Sequence, residues 1–499
     1  MSTAFEMTAR AQTVLAALAA QGVEPRGVAD DSRSVQPGDL FLAYPGARAD
    51  GRRFIADAIA RGAVAVLWAP DDDFAWNPQW RVVQAAEPEL RRLAGPLSHA
   101  VYGWPCERLS LIALTGTNGK TTISQWLGRA HPRACATIGT LGAGFVDALE
   151  DGVLTTPQAP VLARYLKRFA DAGAQACAIE ASSVGIEERR LDGARVDVAI
   201  FTNLTRDHLD YHGTMEAYAA AKAKLFAWPR LRLAVLNLDD PFGRQLAAEC
   251  AAPRVIGYTQ YEAGSTSATG VVIIAAENVK EAPTGLSFSL ILPNGRAEVE
   301  TGLLGRYNLS NLLAVAAVLY DAGLKASEIA ARLEALPSPP GRLEKIGGVN
   351  EPLVVVDYAH TPDALENALA ALRGVARVRG AGLTVLFGCG GDRDPGKRPQ
   401  MGAIAARLAD RVVLTSDNPR SEDPQAILAQ VAAGAPGAEV MADRAAAIRA
   451  TILSAAPAEV ILLAGKGHEP YQEIAGERRP FSDLGEAAAA LAARRETQA

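Results

Sequence analysis

Short, continuous apolar runs recur along the chain and are separated by helical patterns and by turns. Such runs are typical of strands that are buried on both faces of a parallel sheet. Because they alternate with helical segments, the pattern predicts an α/β fold with helices on both faces of each sheet. A turn is expected to lead into a strand within residues 38–43. The other predicted strands cover residues 63–68, 109–114, 176–181, 196–204, 233–238, 353–357, 383–387, 412–415 and 460–464.

Three further features suggest how the chain divides into domains. Residues 286–292 alternate between apolar and polar side chains, which predicts an antiparallel strand added to the second block. Residues 308–322 are predicted to form an amphipathic helix, and the Ser-Pro-Pro-Gly run at 338–341 then breaks the chain. A chain of 499 residues is too long for one core. We therefore expect three α/β domains: residues 1–107, a central phosphate-loop sheet at 108–340, and a C-terminal Rossmann-like, doubly wound sheet at 341–499.

Composition and charge narrow the class of protein. Hydrophobic residues make up 49% and charged residues 21% of the chain, as in ordinary globular proteins. The net charge of −6 argues against a nucleic-acid partner. Glu6 and Arg10 interrupt the first apolar run, and no stretch of 18 apolar residues occurs, so neither a secretory signal nor a membrane span is expected. The five cysteines are far apart in sequence, which predicts reduced thiols in a cytoplasmic protein.

The strongest chemical signal is a glycine-rich loop between the predicted strand at 109–114 and a helix. In the sequence T-G-T-N-G-K-T-T, glycines allow backbone N–H groups to close around phosphate oxygens, and the helix N-terminus adds a favourable dipole. Lys120 is expected to bridge the β- and γ-phosphates of a nucleotide, and Thr121 to bind Mg²⁺. Leu114 replaces the first glycine of the usual Walker sequence. The predicted phosphate-binding residues are Gly116, Thr117, Asn118, Gly119, Lys120, Thr121 and Thr122.

At this loop the sequence resembles the Mur ligase family and its relatives, the folylpolyglutamate synthetases. The resemblance extends over almost the whole chain in the family's order. Its first half comprises D-S-R at 31–33, P-G-D-L-F at 37–41, G-A-R-A-D-G at 46–51, T-T-P at 155–157, E-A-S-S at 180–183 and T-N-L-T-R-D-H-L-D-Y-H-G at 202–213. Its second half comprises Y-A-A-A-K at 218–222, G-R-Y-N-L-S-N at 305–311, G-R-L-E at 341–344, D-Y-A-H at 357–360, G-D-R-D at 391–394, D-N-P-R at 417–420 and G-K-G-H-E at 465–469.

The resemblance implies a catalytic and metal-binding group in the central block. Glu180 is an implied magnesium ligand, and His208 is implied to bind a second Mg²⁺ through its neutral imidazole. Lys222 is implied to be carbamylated by CO₂, which converts an ammonium into an anion able to hold Mg²⁺. With Lys120 these residues form the candidate catalytic set, and the candidate metal set is Thr121, Glu180, His208 and Lys222. The residues implied to lie near the nucleotide outside the loop are Asn308, Arg342, Asp357 and His360.

Two substrate sites are also implied by the resemblance. The residues implied to contact the UDP-muramoyl dipeptide are Ser32, Ala49, Thr155, Thr156, Ser183 and Arg190. In this region Val184 stands where many members have histidine, and Glu188 where some have glutamine. The residues implied to bind the incoming amino acid are Arg393, Asp417, Asn418, Pro419, Arg420, Gly465 and Glu469. All of the latter follow predicted strands, so a shared crevice at the strand C-terminal ends is expected.

In the family, D-N-P-R marks the addition of meso-diaminopimelate, and lysine-adding members usually lack its arginine. Arg393 and Arg420 are implied to clamp the distal carboxylate, and Glu469 with the Gly465 backbone to bind the distal ammonium. The resemblance therefore implies an ATP- and Mg²⁺-dependent ligase that adds meso-diaminopimelate to UDP-N-acetylmuramoyl-L-alanyl-D-glutamate through an acyl phosphate, in peptidoglycan precursor synthesis. We expect a monomer.

Three alternatives remain at this point. A lysine-adding muramyl ligase shares most of the segments, but it does not account for Arg420. A folylpolyglutamate-type ligase shares the loop and the carbamylated lysine, but leaves D-S-R and D-N-P-R unexplained. A phosphate-loop NTPase that acts as a switch or motor fits only the loop, and it predicts nucleotide hydrolysis that does not depend on an amino acid.

Overall fold

The computed structural model describes residues 2–46, 49–152, 154–262, 270–282, 285–348 and 350–498. Ala47 and Arg48 of the 46–51 segment lie outside the described residues. No helix in the described ranges is both long enough and apolar enough to cross a membrane.

The N-terminal sheet has four parallel strands in chain order. They are β1 (Gly27–Ala29), β2 (Asp39–Ala43), β3 (Ala65–Trp68) and β4 (Val83–Ala86). Its helices are α1 (Ser2–Ala19), α2 (Ile55–Ala60) and α3 (Leu90–Val101). Leu40 and Leu42 pack toward α1 and α3, whereas Phe41 and Ala43 pack toward α2. The alternation of β2 therefore buries both faces of the sheet.

The central sheet has eleven strands in the order β15-β14-β13-β12-β11-β10-β5-β9-β6-β7-β8. They are β5 (Ser110–Thr115), β6 (Cys135–Gly139), β7 (Gly142–Phe145), β8 (Ala148–Glu150), β9 (Ala176–Glu180), β10 (Val196–Phe201), β11 (Leu233–Asn237), β12 (Arg254–Thr259), β13 (Val272–Ala282), β14 (Gly285–Leu292) and β15 (Gly295–Thr301). Strands β13 through β6 in this order are parallel, and both ends continue with antiparallel strands. The antiparallel strand predicted at 286–292 is therefore confirmed as β14.

Helices cover both faces of this sheet. They are α4 (Lys120–Ala130), α5 (Ala159–Asp171), α6 (Ser183–Glu187), α7 (Leu209–His212), α8 (Met215–Ala223), α9 (Pro241–Glu249), α10 (Arg306–Asp321) and α11 (Ala326–Glu334). The prediction of an amphipathic helix at 308–322 is wrong in one respect: α10 is buried almost all round. The reason is that α10 packs against the sheet, α4 and α11. Because almost no face of the helix is exposed to solvent, polar residues are not required along one side of it.

The C-terminal sheet has the order β16-β17-β21-β18-β19-β20, with only β16 antiparallel to its neighbour. Its strands are β16 (Glu344–Ile346), β17 (Leu353–Asp357), β18 (Leu383–Phe387), β19 (Arg411–Leu414), β20 (Glu439–Val440) and β21 (Val460–Ala464). Its helices are α12 (Pro362–Val378), α13 (Lys397–Leu408), α14 (Pro424–Ala432), α15 (Arg444–Ser454) and α16 (Asp483–Gln498). Separate apolar clusters fill its two faces, which confirms the doubly wound fold.

A two-stranded hairpin, β22 (Tyr471–Ile474) with β23 (Glu477–Pro480), follows the C-terminal sheet and was not predicted. Short 3₁₀ helices cover Ser32–Ser34, Gly51–Phe54, Pro105–Glu107 and Lys224–Ala227. The division into domains at residues 107 and 340 stays a prediction. Both positions lie between the elements of successive sheets.

Candidate active site

The C-terminal ends of parallel strands from the central and C-terminal sheets face one cavity of about 1270 Å³. Strand ends of this kind are where open α/β sheets bind ligands. The predicted site residues that line it are Ser32, Ala49, Gly116, Thr117, Asn118, Gly119, Lys120, Thr121, Thr155, Thr156, Glu180, Ser183, Arg190, His208, Lys222, Arg342, His360, Arg393, Asp417, Asn418, Arg420, Gly465 and Glu469. The lining does not include Thr122, Asn308, Asp357 and Pro419.

The phosphate loop joins β5 to α4. Gly116 and Gly119 have φ angles of 145° and 90°, a region that favours glycine. A Cβ atom at Gly119 would lie 2.5 Å from Asn311 Oδ1, so the loop also needs glycine there for space. Lys120 Nζ donates to the carbonyl oxygens of Gly116 and Thr117, both at 2.8 Å. The lysine therefore folds back over its own loop.

Lys222 reaches the same loop from α8. Its Nζ donates to Gly116 O at 2.9 Å and lies 4.1 Å from the centre of the Tyr218 ring. The side chain is buried. Desolvation, and then the nearby charge of Lys120, lower the pKa of Lys222 well below its usual value. The amine is thus shifted toward its neutral, nucleophilic form.

Glu180 ends β9 and is buried beside the loop. Its carboxylate accepts hydrogen bonds from the Thr140 backbone N–H at 2.9 Å and from Thr121 Oγ1 at 3.0 Å. Arg342, from the chain that enters the C-terminal sheet, donates to the same Thr121 Oγ1 at 3.0 Å. A carboxylate and hydroxyl oxygens therefore meet at the start of α4.

Asp207 lies at the centre of a second polar group. Its Oδ2 is 3.5 Å from His208 Nε2 and 3.9 Å from His360 Nε2, and its Oδ1 is 4.0 Å from Lys397 Nζ. Burial alone would raise the pKa of Asp207, but the charges of His208 and His360 lower it. Burial lowers the pKa of His208 and brings that of His360 to about 4, so both imidazoles are neutral near pH 7.

Among the residues implied to contact the muramyl substrate, Arg190 and Thr156 contact each other directly. Arg190 Nη1 donates to Thr156 O at 2.7 Å, while its Nε donates to Glu188 Oε2 at 3.0 Å. Thr155 and Thr156 form hydroxyl contacts with Thr140 and with Ser182. Arg190 thus already has an internal carboxylate partner, Glu188, which also lines the cavity.

The remaining residues of this predicted set approach from other elements. Ser183 Oγ lies 2.9 Å from His212 Nε2. Ser32 begins the 3₁₀ helix that follows β1 of the N-terminal sheet. The hydrogen bond between Ser32 and Asp57 is the largest cause of the lowered pKa of the Asp57 carboxyl. Ala49 is an exposed residue of the lining. The first domain therefore contributes to the same cavity as the phosphate loop.

Asn308 and Asp357, which are implied to lie near the nucleotide, do not line the cavity. Asn308 Nδ2 donates to Leu304 O at 2.8 Å, and its Oδ1 accepts from Asn311 at 3.3 Å. Asp357 Oδ2 accepts from the Leu343 backbone N–H at 2.7 Å, and burial raises the pKa of Asp357 to about 6. Both side chains therefore hold neighbouring loops in this conformation.

A connected polar network links the D-N-P-R and G-K-G-H-E segments. Asn418 Nδ2 donates to Glu469 Oε2 at 2.8 Å, and buried Lys466 donates to Asn418 Oδ1 and to Glu469 Oε2, both at 3.0 Å. A Cβ atom at Gly465 would lie 2.6 Å from Asp417 Oδ2, so the close approach of the two loops requires glycine. Burial, and then Asp417, raise the pKa of Glu469.

Arg393 and Arg420 make side-chain hydrogen bonds to backbone carbonyls. Arg420 Nη1 donates to Gly391 O at 2.7 Å, and Arg393 Nη1 donates to Asp392 O at 3.0 Å. Neither guanidinium forms an ion pair with any carboxylate of the described ranges. Both line the cavity, so two cations are available there for an anionic ligand group.

Contacts between the central and C-terminal sheets hold the two parts of the cavity together. Arg206 pairs with Asp394 at 3.0 Å, and Asn118 Nδ2 donates to Asp363 Oδ2 at 2.9 Å. Asp394 follows directly after Arg393, so this ion pair joins the T-R-D-H segment to the G-D-R-D segment. The phosphate loop and the G-D-R-D segment therefore belong to one assembled site.

Sequence reasoning assigned no role to several residues of this site, among them Asp207, Thr140, Lys397 and Lys466. Thr140 follows β6 directly, and its position after a parallel strand was the only available signal. Lys397 lies four residues after Arg393 in a basic run, and Lys466 lies inside G-K-G-H-E, but neither was assigned a role. Among the described residues, no group of three or more His, Cys, Asp and Glu side chains could hold a metal ion.

Comparisons with known proteins agree with this geometry. Three family models match: the Mur ligase family catalytic domain at residues 25–94, the Mur ligase middle domain at 114–319 and the Mur ligase glutamate ligase domain at 341–467. The chain is 48% identical to a UDP-N-acetylmuramoyl-L-alanyl-D-glutamate--2,6-diaminopimelate ligase of Chromobacterium violaceum, over 95% of each chain. It is also 48% identical to the protein of that name from Pseudomonas aeruginosa, over 93% of this chain and 94% of the relative.

Solved structures give the same fold. A structure of a ligase with the same name is 36% identical and has a TM-score of 0.64, covering 94% of this chain and 95% of the other. A MurF ligase from Thermotoga maritima in complex with ADP is 17% identical and has a TM-score of 0.67, covering 96% and 99%, which shows the fold alone. The chain belongs to the Mur ligase family.

Proposed function

We propose that the chain is an ATP-dependent ligase that adds meso-diaminopimelate to UDP-N-acetylmuramoyl-L-alanyl-D-glutamate in peptidoglycan precursor synthesis. Relatives with this name, aligned over nearly the full length of both chains, support the proposal. The observation that carries it is the set of residues that line one large cavity. A phosphate loop lies at one part of it, and two arginines without a carboxylate partner among the described residues lie at another.

The reaction has two steps. An oxygen of the D-glutamate γ-carboxylate attacks the γ-phosphorus of ATP, which forms an acyl phosphate and releases ADP. The free amine of diaminopimelate then attacks the acyl carbon, loses a proton, and displaces inorganic phosphate to give the amide. The loop N–H groups and Lys120 stabilise the charge of the transferred phosphoryl group, and the rest of catalysis is positioning.

Mg²⁺ fits the oxygen-rich start of α4. Mg²⁺ prefers oxygen ligands, and the Glu180 carboxylate with the Thr121 hydroxyl supplies them. His208 is suited as a further ligand because its imidazole is neutral. Thr121, Glu180, His208 and carbamylated Lys222 are the residues that would hold the metal. Bound Mg²⁺ would neutralise charge on the phosphate oxygens.

Lys222 fits this role only after modification, because an ammonium repels a divalent cation. The neutral amine attacks the carbon of CO₂, a nitrogen–carbon bond forms, and one proton is released to give a carbamate anion. Burial that lowers the pKa of Lys222 supports this step, since only the unprotonated amine reacts. The resulting oxygens extend toward the loop that Lys222 already contacts.

Diaminopimelate is the proposed acceptor because it differs from lysine by one distal carboxylate. Arg393 and Arg420 are the proposed partners of that group, since guanidinium binds carboxylate in two parallel hydrogen bonds. Glu469 and the Gly465 backbone are the proposed partners of the distal ammonium. Lysine would leave both arginines unpaired, which penalises it as well as removing an attraction.

One assay separates this proposal from its alternatives. Phosphate release is measured with ATP, Mg²⁺ and the UDP-muramoyl dipeptide, and meso-diaminopimelate, L-lysine and a folate substrate with L-glutamate are compared. We expect phosphate release with meso-diaminopimelate, and none with L-lysine or with the folate substrate and L-glutamate. Equal release with lysine would instead indicate a lysine-adding ligase, and release without any amino acid would indicate an NTPase. We place the reaction in the cytoplasm, where ATP is available. A monomer suffices, because one chain supplies every residue of the proposed site.

A further inference from the structure

We propose that Arg444 is a positioning residue that holds two loops in register. These acceptor loops are the D-N-P-R segment at 417–420 and the G-K-G-H-E segment at 465–469. The inference rests on the proposed function, because those loops are the ones assigned to diaminopimelate. Arg444 is the first residue of α15, and Asp483 is the first residue of α16. Their side chains are both fully buried, and Arg444 Nε and Nη2 donate to the two oxygens of Asp483 at 2.7 Å each.

The same guanidinium also reaches two main-chain carbonyls. Nη2 donates to Ala464 O at 2.9 Å, and Nη1 donates to Ser416 O at 3.4 Å. Ala464 ends β21 and directly precedes Gly465, whereas Ser416 directly precedes Asp417. One buried side chain thus fixes the backbone immediately before both acceptor segments.

The two carbonyls are not neighbours in the sheet. Strand β18 lies between β21 and β19, so no ladder hydrogen bond sets the ends of β21 and β19 relative to each other. Arg444 supplies this link through its hydrogen bonds to Ala464 O and Ser416 O. The link matters because the loops meet closely, with no room for a Cβ atom between Gly465 and Asp417 Oδ2.

A purely structural role for the ion pair is the competing explanation. Burying an ion pair costs desolvation free energy and is weak evidence for a gain in stability. Asp483 needs only one edge of the guanidinium, and the remaining N–H groups point to the acceptor loops rather than to α16. This geometry favours positioning, and it predicts an effect on one substrate only.

Arg494 offers a matched control. It is also an arginine buried in the C-terminal domain, and its Nη1 donates to the carbonyl oxygens of Ile452 and Leu453, both at 3.0 Å. Those carbonyls lie at the opposite end of α15 from Arg444. Arg494→Met therefore removes a buried guanidinium that donates to the far end of α15.

The test compares Arg444→Met, Arg444→Lys and Arg494→Met by steady-state kinetics with each substrate varied in turn, and by thermal unfolding. Misplacement of reacting groups by about 1 Å can cost roughly a hundredfold. We therefore expect Arg444→Met to raise the KM for diaminopimelate by at least about tenfold, with the ATP and UDP-substrate constants within about twofold of wild type. Arg494→Met should lower the melting temperature without moving the diaminopimelate KM.

Arg444→Lys keeps a cation beside Asp483 but cannot hold both carbonyls, so it should show a smaller rise confined to diaminopimelate. It also serves if Arg444→Met does not fold. An unchanged diaminopimelate KM in Arg444→Lys, or equal rises for all three substrates in either variant, would overturn the inference. Failure of the proposed function is distinguishable, because wild-type protein would then not use diaminopimelate at all.

Discussion

The muramyl part of the cavity differs from the acceptor part in how its arginines are satisfied. In the muramyl part, Arg190 pairs with the Glu188 carboxylate. In the acceptor part, Arg393 and Arg420 donate only to backbone carbonyls and pair with none of the described carboxylates. Lys120 and Lys222 at the phosphate loop likewise donate to backbone carbonyls, so they resemble the acceptor arginines. The acceptor part is thus prepared for an anion, whereas a ligand of Arg190 must replace an internal ion pair.

This difference bears on the energetics of binding. A ligand carboxylate that meets an unpaired, partly desolvated guanidinium gains a charge-assisted hydrogen bond without breaking another ion pair. A ligand that meets Arg190 must compete with Glu188, so its net gain is smaller. Discrimination between amino acids is therefore expected to depend strongly on single residues in the acceptor part. Binding of the muramyl substrate should respond weakly to changes around Arg190.

The largest expected effect tests the phosphate loop. Lys120→Ala should reduce ligation at least roughly a hundredfold, because a preorganised cation at the transferred phosphoryl group is lost. The fold should survive, since Lys120 is only half-buried and supports no core. Turnover and circular dichroism measure the two outcomes. Retention of more than about a tenth of wild-type turnover would contradict the loop assignment.

Lys222→Ala should be nearly as inactive and should recover partly with formate or acetate, whose oxygens can replace those of the carbamate. Lys224→Ala is a matched control, because Lys224 lies two residues away and pairs with Glu187 instead of the loop. Turnover is measured with and without added carboxylate. A high-resolution structure with nucleotide and Mg²⁺ that shows a free amine at Lys222 would count against carbamylation.

Arg420→Ala tests the acceptor part directly. Loss of one partner of a desolvated charge pair costs about 2–5 kcal/mol, so the diaminopimelate KM should rise at least about thirtyfold. The constants for ATP and the UDP substrate should barely move, because those ligands are placed elsewhere in the cavity. Lysine addition need not appear, since removing a penalty does not build a lysine site. Equal losses for all three substrates would refute the acceptor assignment.

The sequence was sufficient for much of the fold because the inner parallel strands of the two large sheets are almost wholly buried. Runs such as 353–357 and 383–387 match β17 and β18 residue for residue. The apolar pattern did not reveal β7, which is short and rich in glycine, or β8, which is short and half-exposed. It also did not reveal the hairpin of β22 and β23, which has no buried residue. For these segments the neighbouring chain, rather than their own apolar pattern, determines strand pairing.

For the candidate site, the sequence identified segments more reliably than contacts. The segments meet because parallel strand ends share one edge of a sheet. Which side chain points into the cavity depends on local backbone: Asp357 turns to the Leu343 N–H. Likewise Arg189 adopts a left-handed φ of 60°, and the chain around it brings Glu188 against Arg190. Such turns are decided by tertiary contacts that no residue pattern records.

The smallest expected effect concerns that pair. Glu188→Gln keeps the size and one acceptor oxygen of the side chain but removes the charge that competes for Arg190. An exposed ion pair contributes about 0.2–1 kcal/mol. The side chains of Arg190 and Glu188 are only 10% and 17% exposed, so we expect an effect at the upper end of that range, a fall of about fivefold in the KM for the UDP-muramoyl dipeptide. Glu187→Gln is the matched control, since Glu187 pairs with Lys224 outside the cavity lining. The diaminopimelate KM should stay unchanged in both variants. A rise in the UDP-substrate KM in Glu188→Gln would mean that Glu188 assists binding by orienting Arg190, and the two parts of the cavity would then differ less than their ion pairs suggest.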